Sequence, residues 1–197
     1  LKRLIRELNL NRKQAEDARK TSAKPVTKSG KNSKLKQNIL LHDARTGQVN
    51  WIYTTKKPAG HWFEIAFDDA KWETGKAGFG SKGTPGEIVR TEWRTPGIWL
   101  RTSFRLGTVP NNLSLNVHHD EDATIYLNGK LIKKVSGHVG KYEAHDVSKE
   151  AADVLQTGKN VIAVHCRQTS GGQYVDVGVA TTDNYADLAS LMRKFGK

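Results

Sequence analysis

The chain has 197 residues, 37% of them hydrophobic, with five Trp, five Tyr and five Phe, which supplies a packed core for one domain and excludes a wholly disordered chain. A single cysteine, Cys166, excludes an internal disulfide, and the formal net charge of +12 invites a nucleic-acid reading. The distribution of that charge decides against it: residues 1–36 hold twelve Lys or Arg against three acids, whereas the remainder holds twenty against seventeen.

The basic footprint therefore belongs to a leader, which reads in two parts. Leu1, Leu4, Ile5 and Leu8 fall at helical spacing and predict a short basic amphipathic helix over 1–20, the end of a preceding domain. Residues 21–36, "TSAKPVTKSGKNSKLK", show no periodicity and predict a basic, solvated linker. Leu1 is not a natural start and no signal peptide or membrane span follows it, so a fragment or processed product of a longer protein is expected. The other role open to the leader is attachment to an anionic polymer or docking to a partner protein. Nucleic acid is disfavoured, because no helix-turn-helix, zinc-finger or aromatic RNA-binding signature accompanies the charge.

Residues 37–182 carry short strands separated by Gly, Pro and Asn turns, the pattern of an all-β antiparallel sandwich. "IWLRTSFRL" (Ile98 to Leu106) is strand-like, and in "LSLNVHH" Leu113, Leu115 and Val117 alternate with Ser114, Asn116 and His118. Ala123, Ile125 and Leu127 alternate with Asp122, Thr124 and Tyr126, and Asn128-Gly129 then predicts a two-residue hairpin with Leu131 on the return strand. "NVIAVHC" (Asn160 to Cys166) is almost continuously apolar, as a central strand buried on both faces should be. In "QYVDVGVA" (Gln173 to Ala180) Val175, Val177 and Val179 mark one face. The expected core includes Ile125, Leu127, Val161, Val164, Val175 and Val177, with Cys166 a buried, inert thiol. Leu188, Leu191, Met192 and Phe195 fall at helical spacing and predict a C-terminal helix over 183–197.

Four segments in this order, "FDDAKWETGKAGFG" (Phe67 to Gly80), "TEWRTPGIWLRTSF" (Thr91 to Phe104), "HHDEDATIYLNG" (His118 to Gly129) and "GKNVIAVHCRQTSGGQYVDVGV" (Gly158 to Val179), resemble a galactose-binding-domain-like jelly roll. Such a module is similar to the sugar-binding domain of family-two glycoside hydrolases, and the resemblance spans roughly 49–182. It implies a jelly-roll sandwich acting as an accessory module that binds a polysaccharide or oligosaccharide, or that braces neighbouring domains of its parent protein. It also implies a secreted or periplasmic location. The rival reading is a structural or assembly domain whose basic leader docks to a protein or an anionic polymer.

The candidate ligand residues lie on the turns. Asp120 and Asp122 follow His118 and His119, and this acidic run is read as a turn whose carboxylates bond backbone amides, as a glycan contact, or as a weak site for a structural calcium ion, which many sugar-binding sandwiches carry. Arg167, Gln168, Gln173 and Asp176 bracket a Ser-Gly-Gly turn, and their planar amide and guanidinium groups suit vicinal hydroxyls. Trp93, between Glu92 and Arg94 and just before "TPG", is read as loop-exposed and as the best ring for stacking on a sugar; Trp72 and Trp99 sit inside apolar patterns and are read as structural. No nucleophile elbow, Cys-His pair or H-E-x-x-H is present. A glycosidase carboxylate pair drawn from Asp68, Asp69, Glu92 and Asp120 is possible only if the fold brings two of them together. A non-catalytic role is expected.

Overall fold

A computed structural model describes residues 37–182. The expected helices over 1–20 and 183–197 and the linker over 21–36 lie outside the described residues.

The described chain is a sandwich of two six-stranded sheets. Sheet I runs in the order β10 (Glu143–Asp146), β7 (Ser114–Asp120), β12 (Tyr174–Thr181), β4 (Phe79–Gly80), β5 (Thr91–Glu92), with β1 (Asn38–Leu41) also paired to β12. Sheet II runs β3 (Glu73–Lys76), β2 (Asn50–Thr54), β6 (Gly97–Leu106), β11 (Gly158–Arg167), β8 (Asp122–Leu127), β9 (Lys130–Val135). Every pairing is antiparallel except the two-residue contact of β4 with β5. A single helical turn, α1 (Ser148–Ala151), links β10 to β11.

The alternation read from the sequence is the packing. Leu113, Leu115 and Val117, then Val175, Val177 and Val179, fill the inner face of sheet I, and Ala123, Ile125, Leu127, Ile162 and Val164 meet them from sheet II. Burying each aliphatic side chain contributes roughly 1.5–3 kcal/mol before the entropy of ordering is counted. Asn128 and Gly129 form the two-residue turn between β8 and β9, both with positive φ, at 49° and 93°, as a type I′ turn requires. The Asn128 side chain then reaches across the sandwich end: its amide donates to the Val154 carbonyl at 2.7 Å and its oxygen accepts from Val161 N–H at 2.8 Å. Cys166 is fully buried in β11, and burial pushes its thiol up, away from thiolate chemistry.

Val161 is buried as expected but not in the space between the sheets. Side chains alternate along β11, so Ile162, Val164 and Cys166 point inward while Val161, Ala163 and His165 point to the outer face. That outer face is partly roofed by an arm, residues 58–72, between β2 and β3. Arg101, 3% exposed on β6, pins the arm from below: its guanidinium donates to the Trp62 carbonyl and to Asp69 Oδ2, the latter at 2.7 Å. Phe63 stacks on Tyr126 at 4.4 Å, and Trp62 meets the same ring edge-on at 5.6 Å. Trp72 belongs to this roof, against Phe67 and Trp62, and is partly exposed rather than core.

Candidate functional site

At one end of the sandwich three connections converge: the step from β7 to β8, the β11–β12 hairpin at 168–173, and the segment from β4 to β6. Asp120 closes β7 opposite Tyr174, and its carboxylate lies under the hairpin. A Cβ built on Gly172 would stand 2.6 Å from Asp120 Oδ2, so the second glycine of Ser170-Gly171-Gly172 exists to let that carboxylate in; the first, Gly171, adopts a φ of 74° that turns the chain. Asp120 is 7% exposed. Its carboxylate receives no hydrogen bond among the described residues, and burial, reinforced by the neighbouring Glu121 charge, raises its pKa.

Four of the other expected residues, Gln173, Gln168, Asp122 and Arg167, are brought to the same end but have different roles. Gln173 is buried and acts as a staple: its amide donates to the Thr95 carbonyl at 2.7 Å, and its backbone N–H donates to Thr84 Oγ1 at 3.0 Å. Gln168 donates through Nε2 to the Gly172 carbonyl at 2.6 Å, while its Oε1 is buried with no partner. Asp122 accepts from Gly137 N–H at 3.0 Å and lies 3.7 Å from the Arg167 guanidinium, which is 62% exposed. Between them Glu121, part of the same acidic run, accepts a short hydrogen bond on its carboxylate from the Thr169 hydroxyl, which ties the β7–β8 step to the hairpin.

Trp93 corrects the sequence reading. It is 1% exposed, belongs to the hydrophobic core, and donates from Nε1 to Thr95 Oγ1 at 3.0 Å. The charges on either side misled: Arg94 and Glu92 pair with each other at 2.6 Å in solvent, and the residue between them faces inward. A buried indole cannot stack on a saccharide. Trp99, read as structural, is instead partly exposed and stacks on His165, with ring centroids 4.6 Å apart.

Asp176 is not at the loop end at all. It sits midway along β12 on the outer face of sheet I, 2% exposed, where its Oδ2 accepts from Ala44 N–H and from the Tyr142 hydroxyl, each at 2.6 Å. Burial raises this carboxyl to about 6 in spite of those two donors. Tyr142 is held beneath Arg45, 3.8 Å from its ring centroid, and Arg45 pairs with Asp43 at 2.7 Å. Beside them His118, fully buried between Tyr142 and Tyr174, approaches the Val139 and Pro85 carbonyls without hydrogen-bond geometry at either nitrogen. Burial lowers its pKa. This cluster had no signal in the sequence beyond the isolated polar letters inside apolar strands.

Among the described residues no group of three or more His, Cys, Asp or Glu is arranged to hold a metal ion. Of the four carboxylates from which a glycosidase pair could have been drawn, Asp69 bonds Arg101, Glu92 bonds Arg94, and Asp68 accepts from the Ala70 N–H at 3.0 Å. No helix among the described residues is long and apolar enough to cross a membrane.

No protein-family model and no curated protein matches the sequence. Solved structures do match the fold. A Bacteroides uniformis β-glucuronidase aligns at 18% identity with a TM-score of 0.52, over 74% of this chain and 18% of that enzyme. Bacteroides uniformis β-glucuronidase 2, with cyclophellitol-6-carboxylate aziridine covalently bound, aligns at 18% identity and a TM-score of 0.50 over the same shares. The chain spans less than a fifth of the length of these enzymes. The resemblance stated from the sequence thus holds for the fold, which recurs as a minor segment within larger glycosidases.

Proposed function

We propose that residues 37–182 are a non-catalytic module of a larger polysaccharide-processing protein, secreted or periplasmic, which binds a glycan at the loop end of the sandwich. The observation that carries this reading is Asp120, a buried carboxylate given room by Gly172 and receiving no hydrogen bond among the described residues. Beside it Gln168 Oε1 is a second acceptor without a donor, and the exposed Arg167 supplies planar donors at the edge of the same turn. Acceptors lacking donors suit the hydroxyls of a saccharide, which donate and accept in pairs. The fold shared with segments of β-glucuronidases agrees with a place inside a carbohydrate-processing protein. Titration calorimetry of the chain against neutral galactosides tests the reading. Asp120→Asn, which converts an acceptor into a partial donor, is expected to weaken binding by about tenfold, on the order of 1.5 kcal/mol; equal affinities in parent and variant exclude this site.

A second reading, a module that only braces its neighbours, is favoured by one observation. Gln173, Asp122 and Glu121 direct their polar groups to bonds within the domain. That reading predicts no affinity for any glycan and a stable complex with the other domains of the parent protein.

A further inference from the structure

The outer face of sheet II is divided into a covered and an open half. One cross-strand row, Ile52, Arg101, Ala163 and Tyr126, lies in register over four strands and carries the 58–72 arm. The next row toward the loop end is Thr54, Trp99, His165, Thr124 and Lys134, in register over β2, β6, β11, β8 and β9. Each member of this second row is at least partly exposed. With strands about 4.8 Å apart, five in a row make a strip about 19 Å long.

The strip is built around a ring pair. Trp99 and His165 lie face to face with planes 15° apart, and a Cβ on Gly97 would come within 3.1 Å of the indole, so glycine at the strand end leaves the ring its place. Cations frame it. Arg167, two residues along β11, and Lys57, at the base of the arm, both bear on His165 and, after burial, help keep its imidazole neutral. Lys134 is exposed at the far end. The carboxylate of Asp122, 3.7 Å from Arg167, offsets part of this charge and leaves the strip cationic.

We propose that this row is a second binding strip, for a carboxylate-bearing acidic polysaccharide, which adjoins the loop end and shares Arg167 with it; the inference rests on the module reading above. A pyranose presents an apolar C–H face to Trp99 while ring carboxylates meet Arg167 and Lys57. The sparse charge, three cations and one carboxylate along the strip, matches one carboxylate per sugar better than the phosphate density of a nucleic acid. Threonines on both sides of the rings confine the apolar surface to the one indole and its imidazole, less than the continuous apolar core of a protein interface.

The test is binding of the full chain to polygalacturonate, to neutral galactan and to single-stranded DNA at one fixed salt concentration, by affinity electrophoresis and calorimetry. Trp99→Ala and Lys57→Gln are each expected to weaken polygalacturonate binding by about tenfold and to leave neutral galactan binding unchanged. Lys57 is exposed, so its variant reports on the strip even if Trp99→Ala perturbs the fold. The basic leader is intact in every variant and contributes a common background. Polygalacturonate affinity equal in parent and both variants, or absent, or exceeded by DNA, overturns the strip. If galactan still binds in that case, the module reading stands without it; loss of binding to every saccharide removes both.

Discussion

The outer faces of the two sheets differ in what covers them. On sheet I, the segments around Asp43, Gly86 and Tyr142 seal polar side chains, His118, Tyr174 and Asp176, against the strands. On sheet II, an aromatic arm covers one half and leaves a partly exposed ring pair on the other. The lesson is that chemical character alone does not mark a binding face. The sheet I cluster has the richer chemistry, a high-pKa carboxyl and two tyrosines, yet Asp176 and Tyr142 are bonded inward and the cluster stabilises the loops. The sheet II strip has plainer residues, and it is open.

The largest test of this contrast is the arm. Arg101→Ala removes a buried cation that holds both Asp69 and the Trp62 carbonyl, and is expected to cost about 3–4 kcal/mol, the scale for breaking a buried ion pair, discounted because Asp69 is one-third exposed. Urea denaturation reads the cost, and hydrogen exchange should accelerate first in 58–72. A loss under 1 kcal/mol shows that the ring contacts hold the arm unaided.

The sealed face predicts a pH signature. Asp176 in the folded chain has a pKa of about 6 against an ordinary 3.8, so the folded chain binds this proton more tightly than the unfolded chain, and stability falls as pH rises from about 4 to 6. His118 acts in the opposite sense: its folded pKa lies below the ordinary 6.5, so its contribution is fully present above 6.5 and is lost as pH falls from there through the lowered folded value. Asp176→Asn removes the first effect and keeps the second. The stability of the variant relative to the parent should therefore increase between about pH 4 and 6, by on the order of 1–3 kcal/mol. A difference that does not change across this window contradicts an ionising carboxyl sealed at this position.

Tyr142→Phe is a smaller change on the same face. It withdraws one of the two donors from Asp176 Oδ2 and is expected to cost roughly 1–2 kcal/mol at neutral pH, less once the carboxyl is protonated. Smallest of all is the stability effect of Trp99→Ala. A partly exposed ring on the open strip should cost under about 1.5 kcal/mol, since its loss leaves no closed cavity. A cost above 3 kcal/mol makes Trp99 a core residue and removes the distinction between the faces.

The longer strands β6, β7, β8, β11 and β12, most inner-face residues and the Asn128-Gly129 turn were legible in the sequence because each is a local pattern, period-two alternation or a dipeptide that tolerates positive φ, whereas β1 to β5 and β10, two to five residues long, are too short to show one. The outer faces were not legible, because what lies over a sheet is decided by segments distant in the chain. β12 shows this directly. Val175, Val177 and Val179 were readable as one face, but the burial of Tyr174, Asp176 and Gly178 depends on residues 43–44 and 142, more than thirty positions away. Trp93 and Trp99 exchanged their expected roles for the same reason. The charged neighbours of Trp93 are turned to solvent while it faces the core, and the apolar neighbours of Trp99 face the core while it does not. At the loop end, Asp120 was readable as a candidate and Ser170-Gly171-Gly172 as a tight turn, but the fit of the carboxylate beneath Gly172 required the fold.

The account rests on saccharide recognition at the loop end, and mapping amide NMR shifts of the full chain during titration with a neutral galactan oligosaccharide addresses that claim most directly. Shifts concentrated at 120–122, 167–173 and 84–95, and abolished by Asp120→Asn in a folded variant, are the predicted result. Shifts confined to the sealed face of sheet I, or no shift with any saccharide while the chain still assembles with its neighbouring domains, contradict it.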